Sequence, residues 1–184
     1  MERSQAVALM EQHLGSENLR NHSLASEAIM RALARRLVQN ENQWGLAGLL
    51  HDLDYDQTKD EPASHGLKTA EWLRDLGIDE EIVKAILAHN AEALGLARVT
   101  AFDLALTAAE TMTGMIVATA LVYPDKKIRS VKPKSILKRM KEKQFAKGAN
   151  RDMIMLCEDI GVPLSEFAAI SLEAMSQIDQ EIGL

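Results

Sequence analysis

Residues 46–60 read LAGLLHDLDYDQTKD, and the first half of that stretch decides the fold. Leu46, Leu49, Leu50 and Leu53 recur at the spacing that places side chains on one helical face. A helix from about Asn42 to Leu53 buries that face and delivers His51-Asp52 near its C-terminal end. Neighbours on a helix point about 100° apart, so normally only one faces a given point. Near a helix end both can bend toward one cation, or Asp52 can bridge two. A polar loop, Asp54 to Asp60, follows.

Outward from this helix the same periodicity continues. Ser4 is placed to cap a short helix that ends near Leu14-Gly15, and Ser16 to cap a longer one. In the second, Leu19, His22, Ser26, Ile29, Leu33 and Leu37 share a face, so His22 points inward. Pro62 suits the first turn of a further helix in which His65, Thr69, Trp72 and Leu76 align until Gly77 stops it. Asp79 caps the next, with Ile82, Ile86 and His89 on one side. A long helix from about Arg98 to Val122 ends before Pro124. Two or three basic helices follow, then a closing helix after Pro163. The pattern predicts an all-α fold, with a histidine-bearing part over residues 1–124 and a basic helical extension over 125–184 packed against it.

Composition agrees. The 184 residues are 47% hydrophobic and only 4% aromatic, which suits a helical domain with a real core. The N-terminus has no basic region followed by an apolar run, so no signal peptide is expected. The greasiest segment, Thr111 to Tyr123, is short of the roughly 20 apolar residues a bilayer span needs. Cys157 is the single cysteine, which excludes an intrachain disulfide. The adjacent acids Glu158 and Asp159 oppose a thiolate there. These features make a cytoplasmic location the expectation, with no membrane partner.

Charge is unevenly spread. The net charge is −6, yet residues 126–151 hold eleven Lys or Arg against Glu142 alone. That run is either a solvated basic face or a positive flap that attracts an anionic substrate. Aromatics do not interleave with the charges, so a single-strand nucleic-acid surface is not expected.

Four of the five histidines fall on successive elements: His22, His51, His65 and His89. A lone histidine on an apolar face is more often hydrogen-bonded core than ligand, and His13 fits that description. Four together, with Asp52, form the imidazole–carboxylate set of a catalytic divalent-metal site. Glu110 extends the set. It lies in AFDLALTAAETMTGMIVATALV, residues 101–122, where an unpaired carboxylate is costly to bury. Asp103, Thr107 and Gly114 share its stripe and leave room beside it. The donors suit one or two ions of Fe, Mn, Zn, Co or Ni. No Gly-rich phosphate loop and no GxSxG elbow is present.

His22, LLHDLDYD around His51-Asp52, then His65, His89 and an acid in a late apolar helix resemble the HD-domain superfamily of metal-dependent phosphohydrolases. The resemblance covers roughly residues 16–124. It implies an HD-type helical bundle in which His22, His51, Asp52 and Glu110 hold a primary metal. In the bimetallic branch, histidines at the positions of His65 and His89 hold a second ion and Asp52 bridges. The last acid is usually Asp; Glu110 is longer by one methylene, so its helix must sit slightly farther back.

The expected activity is hydrolysis of a small anionic phosphorylated substrate, a phosphomonoester or nucleotide-type compound, by a metal-activated water. Asp52 is placed to orient that water or accept its proton, and Lys68 to assist at the phosphoryl group. Arg20, Lys68 and Asn90 are candidate substrate contacts, with Asp54 and Asp56 close to the site. Two alternatives stand beside this. One is an HD-fold diiron oxygenase; the other is a degenerate HD module that binds a nucleotide or protein without turnover.

Overall fold

A computed structural model describes all residues, 1–184. It contains eleven α-helices, two 3-10 turns and no strand. In chain order the helices are α1 (Arg3–His13), α2 (Glu17–Arg36), α3 (Glu41–Leu50), α4 (Tyr55–Thr58), α5 (Leu67–Asp75) and α6 (Glu80–His89). They continue with α7 (Ala91–Leu94), α8 (Ala101–Leu121), α9 (Pro133–Met140), α10 (Arg151–Asp159) and α11 (Leu164–Gln177). The 3-10 turns are Pro62–Ser64 and Ile128–Ser130.

Helix α3 is the buried centre of the histidine-bearing part. Every residue from Trp44 to Leu50 is buried, and Asn40 caps the helix by accepting from the Asn42 and Gln43 amides. Two glycines let α2 approach. A Cβ on Gly48 would lie 2.7 Å from the Ser26 carbonyl oxygen and 2.8 Å from the Glu27 nitrogen. A Cβ on Gly45 would strike the Arg31 side chain at 2.7 Å. Arg31 and Arg3 both grip the buried Glu27, Arg31 at 2.9 Å and Arg3 at 2.8 Å, which ties α1 to α2. The two backbones therefore touch one turn before His51, and this contact brings His51 up to His22.

Helix α8 runs through the middle of the molecule. Its 21 residues are apolar enough by length and composition to cross a membrane, and 67% of its apolar stretch is buried inside the fold. The apolar run is thus longer than the expected Thr111–Tyr123 segment, because it is the core helix against which α2, α6 and α10 pack. A Thr100–Asp103 capping box starts it.

Residues 125–184 share one core with the rest. A cluster of 42 buried apolar residues extends from Ala6 to Ile182 and includes Ile136, Ile154 and Phe167 of the extension. Helix α10 packs on α8, and α11 on α2.

Several local expectations need correction. Glu2, not Ser4, caps α1, through a reciprocal pair with Gln5. Ser16 holds the N-cap position of α2 but makes no capping hydrogen bond. Pro62 opens only a 3-10 turn, so His65 is not on a helix with Thr69 and Trp72. His65 is extended, and Gly66 at φ 91° turns the chain into α5. The segment after Leu53 is no plain polar loop, since it forms α4 and Asp54 is wholly buried. Within residues 126–151, α9 is the one complete helix; α10 begins at Arg151 and ends in acids.

Candidate metal centre

The four histidines converge on Asp52. His22 comes from α2, His51 and Asp52 follow α3, His65 lies between the 3-10 turn and α5, and His89 ends α6. Two sets of three donors result, His22–His51–Asp52 and Asp52–His65–His89, each compact enough to hold one metal ion. Asp52 belongs to both, and it divides its oxygens between them. Oδ2 lies 3.6 Å from His22 Nε2 and 3.4 Å from His51 Nε2. Oδ1 lies 3.2 Å from His65 Nε2 and 3.7 Å from His89 Nε2.

The other ring nitrogen of each histidine faces an acceptor. His51 Nδ1 donates to the Gly48 carbonyl at 2.9 Å, and His89 Nδ1 donates to the Ile86 carbonyl. His65 Nδ1 donates to Asp54 Oδ1 at 2.9 Å. The Thr113 hydroxyl gives its hydrogen to the Glu110 carbonyl, so it accepts from His22 Nδ1 at 2.8 Å. When a ring is neutral these acceptors favour its proton on Nδ1 and leave Nε2 free; His65, when charged, also offers an Nε2 proton to Asp52 Oδ1 at 3.2 Å. The Nε2 atoms lie close together: His22 and His51 Nε2 are 3.1 Å apart, and His65 and His89 Nε2 are 2.9 Å apart. Two ring nitrogens at such distances share a cation, either a proton or a metal ion. Outer hydrogen bonds of this kind orient imidazoles for metal binding. The residues fit a divalent metal at each set.

Asp54 is the hub of this outer layer. Its carboxylate accepts the Gly66 amide at 2.8 Å, the Thr69 amide at 3.1 Å and the His65 ring. Burial works against its ionisation, but the His65 and backbone hydrogen bonds win and hold it below the usual carboxylate range. Asp52 behaves likewise: burial raises its pKa, the surrounding histidines more than offset this, and the net shift is downward.

The histidines split. Burial and the neighbouring His51 push His22 down to about 4. Burial, with His51 again, takes His89 to about 3. His65 goes up to about 9 despite its burial, because Asp52 and Asp54 both accept hydrogen bonds from it.

A cavity of about 360 Å³ opens onto the cluster, lined by His22, Asp52, His65, His89, Asn90 and Glu110 with Leu19 and Tyr55. Glu110 thus reaches the same cavity as the other candidates, but it joins neither compact donor set. Its Oε1 accepts from the Thr111 hydroxyl at 2.6 Å. Burial, resisted by that bond and reinforced by Asp52, pushes its pKa up to about 8. Asn90 lines the cavity but donates to the Pro62 and His65 carbonyls, so it braces the His65 segment. Arg20 and Lys68 do not line it. Arg20 Nε donates to the Leu14 carbonyl at 2.6 Å, and Lys68 reaches Gln57 at 3.2 Å. Asp56 accepts the Gly15 amide, away from the cluster.

Sequence reasoning missed Thr113 and Arg98. Arg98 holds the His89 carbonyl, Thr107 and Glu92 together, which pins the end of α6 to α8. No sequence signal marked Arg98. Thr113, three residues beyond Glu110, could have been found as part of the polar edge of α8.

Residues 19–131 match the HD domain family. This chain belongs to the HD domain family. HD domains form a superfamily of metal-dependent phosphohydrolases and bind divalent metals, and the His/Asp cluster here is compatible with that chemistry. Among curated proteins, the ribonuclease Y of Geobacter metallireducens is 36% identical over 77 residues, covering 42% of this chain and 15% of the relative. That of Geobacter sulfurreducens gives the same values, and that of Thermosipho melanesiensis is 33% identical over 76 residues, 41% of this chain and 15% of the relative. The match thus spans a small part of each ribonuclease Y.

Proposed function

We propose that this protein is a metal-dependent phosphohydrolase with two divalent transition-metal ions bridged by Asp52, acting on a small phosphorylated substrate. One observation carries the reading. Two pairs of histidine Nε2 atoms face different oxygens of one carboxylate, and each set of three donors is compact enough to share one cation. When bound, the two ions supply Lewis acidity that lowers the pKa of water toward about 7 and polarises phosphoryl oxygens.

The chain's own residues do the rest. Asp52 would help hold both ions, since its oxygens face the two histidine pairs, and is placed to orient a water there. Glu110, in the same cavity and without a salt-bridge partner, would be the further carboxylate available to a metal at the His22–His51 set. A cation there removes the cost of ionising it. Asp54, Thr113 and the Gly48 and Ile86 carbonyls accept the Nδ1 protons, which orients each Nε2 so that a metal could displace any proton there. Tyr55 lines the cavity and meets the His65 ring edge-on at 5.5 Å between centroids.

The test is elemental analysis with a phosphatase assay on single variants. Asp52→Ala should lose both ions and all turnover. His51→Ala should lose the ion of its own set first, and His89→Ala the other. Glu110→Asp should keep metal and activity, while Glu110→Gln should weaken the His22–His51 ion. Two equivalents of metal surviving in Asp52→Ala would overturn the assignment. Iron with a mixed-valent spectrum and no phosphatase activity would favour O₂ chemistry instead.

A further inference from the structure

The metal-facing cavity does not stand alone. Two more open beside it, of about 300 Å³ and 510 Å³, and His22 lines all three. Glu110 is shared by the first two, and Thr113 and Gly114 by the second and third. Their outer walls come from the extension, through Asn150 and Met153 on one side and Ile182 on the other. Each falls in the size range of pockets that hold small molecules.

Gly114 sits where these spaces meet, one turn beyond Glu110 in the middle of α8. A glycine in a helix interior lowers stability relative to alanine, so it needs a reason. Backbone conformation gives none, because Gly114 is helical. Packing gives none either: an added Cβ would meet only Ala149 Cβ, at an ordinary 3.9 Å. Gly48 contrasts with this, since there the backbone of α2 forbids a Cβ. What a side chain at 114 would occupy is cavity.

The lining also has a charge pattern. It includes Glu17, Asp52 and Glu110, and no Lys or Arg in any of the three cavities. The nearby arginines are committed elsewhere. Arg151 donates to the carbonyls of Phe145, Ala146 and Ala149, and Arg139 pairs with Glu142 and stacks over the Phe145 ring. A second or third phosphate reaching beyond the metal centre would find no cationic Lys or Arg side chain in this compartment. Asn18, Asn21 and Thr113 beside Ala25, Val117 and Ile182 instead offer a mixed polar and apolar surface.

We propose that the substrate is a phosphomonoester of an uncharged, nucleoside-sized alcohol, whose organic half lies in the compartment that Gly114 keeps open between α2, α8 and the extension. This rests on the phosphohydrolase reading above. It predicts discrimination against nucleoside di- and triphosphates and against RNA, whose added negative charges would face Glu17 and Glu110.

The experiment is calorimetric titration of the full chain, loaded with the metal it carries as purified. The probes are inorganic phosphate, nucleoside 5′-mono-, di- and triphosphates, hexose monophosphates and a short RNA. The best monoester should bind about tenfold or more tighter than inorganic phosphate, and each added phosphate should weaken binding. Gly114→Met should erase the preference for the ester while metal content and inorganic phosphate affinity stay as in the wild type. Gly114→Ala, which favours the helix, should lose part of the preference and melt no lower than wild type. Unchanged ester affinity in Gly114→Met, or tighter binding of a triphosphate or RNA than of every monoester, would overturn the proposal. If the loaded wild type binds neither inorganic phosphate nor any ester and hydrolyses none, the phosphohydrolase reading itself falls and takes this one with it.

Discussion

Replacing Asp54 by Asn tests whether the outer layer governs the metal centre. The side chain keeps its shape, is wholly buried, and loses only charge and one acceptor. An amide oxygen can still take the Gly66 and Thr69 amides, now 2.8 and 3.1 Å from the carboxylate. Its NH₂ then faces His65 Nδ1, 2.9 Å from the present Oδ1, and must donate to it. That reverses the ring's tautomer and puts a proton on Nε2, the atom that should ligate. Stability falls as well. Hydrogen bonds to a charged group contribute about 1.5–3 kcal/mol and neutral ones about 0.5–1.5. Weakening three bonds costs roughly 3 kcal/mol, within the 5–15 kcal/mol of a typical domain. The variant should therefore fold, with a lower urea midpoint. Chelator competition should show metal affinity down roughly 10–100-fold, at the His65–His89 position before the His22–His51 position. Wild-type affinity at both positions, or equal loss at both, would refute the argument.

Other perturbations follow from the same geometry. Gly48→Ala forces a Cβ against the Ser26 and Glu27 backbone and should cost about 1–3 kcal/mol as overpacking does; urea denaturation with metal analysis should show the His22–His51 ion weakened along with the fold. In chelator, stability should peak slightly below neutral pH. His22 and His89, whose folded values lie near 4 and 3, give up stability as pH falls below about 6.5. His65, near 9 when folded, gives it up as pH rises from about 6.5 through 9, and ionising Glu110 adds to that loss up to about 8. Excess metal should remove the alkaline decline, because the bound ligands are deprotonated, and urea midpoints across pH check this. Reversing the exposed Lys134, Lys138 and Lys141 to Glu should leave metal content unchanged and alter KM by less than about threefold in physiological salt, since none lines the cavities and their field fades over about 8–10 Å. A tenfold KM change that salt does not relieve would mean direct contact.

Apolar spacing alone gave the all-α class and the positions of α2, α3, α6 and α8, because each helix buries a stripe that its own sequence writes. The ligand types were equally legible: four histidines and Asp52 are unusual on core-facing positions, and the HD resemblance followed from them. His65 was misread as helical because one glycine, Gly66, overrides the local pattern through a left-handed φ.

What no single segment contains is the orientation of the rings. His22 is held by Thr113, 91 residues away, and His65 by Asp54, 11 residues back across a turn. The division of Asp52's oxygens depends on two helices meeting at Gly48, and the compartment beside Gly114 on an extension that the HD match barely enters. Periodicity records which face of an element is buried. Which atom of a buried ring carries its proton, and where space is left unfilled, is settled only when distant elements close on one another.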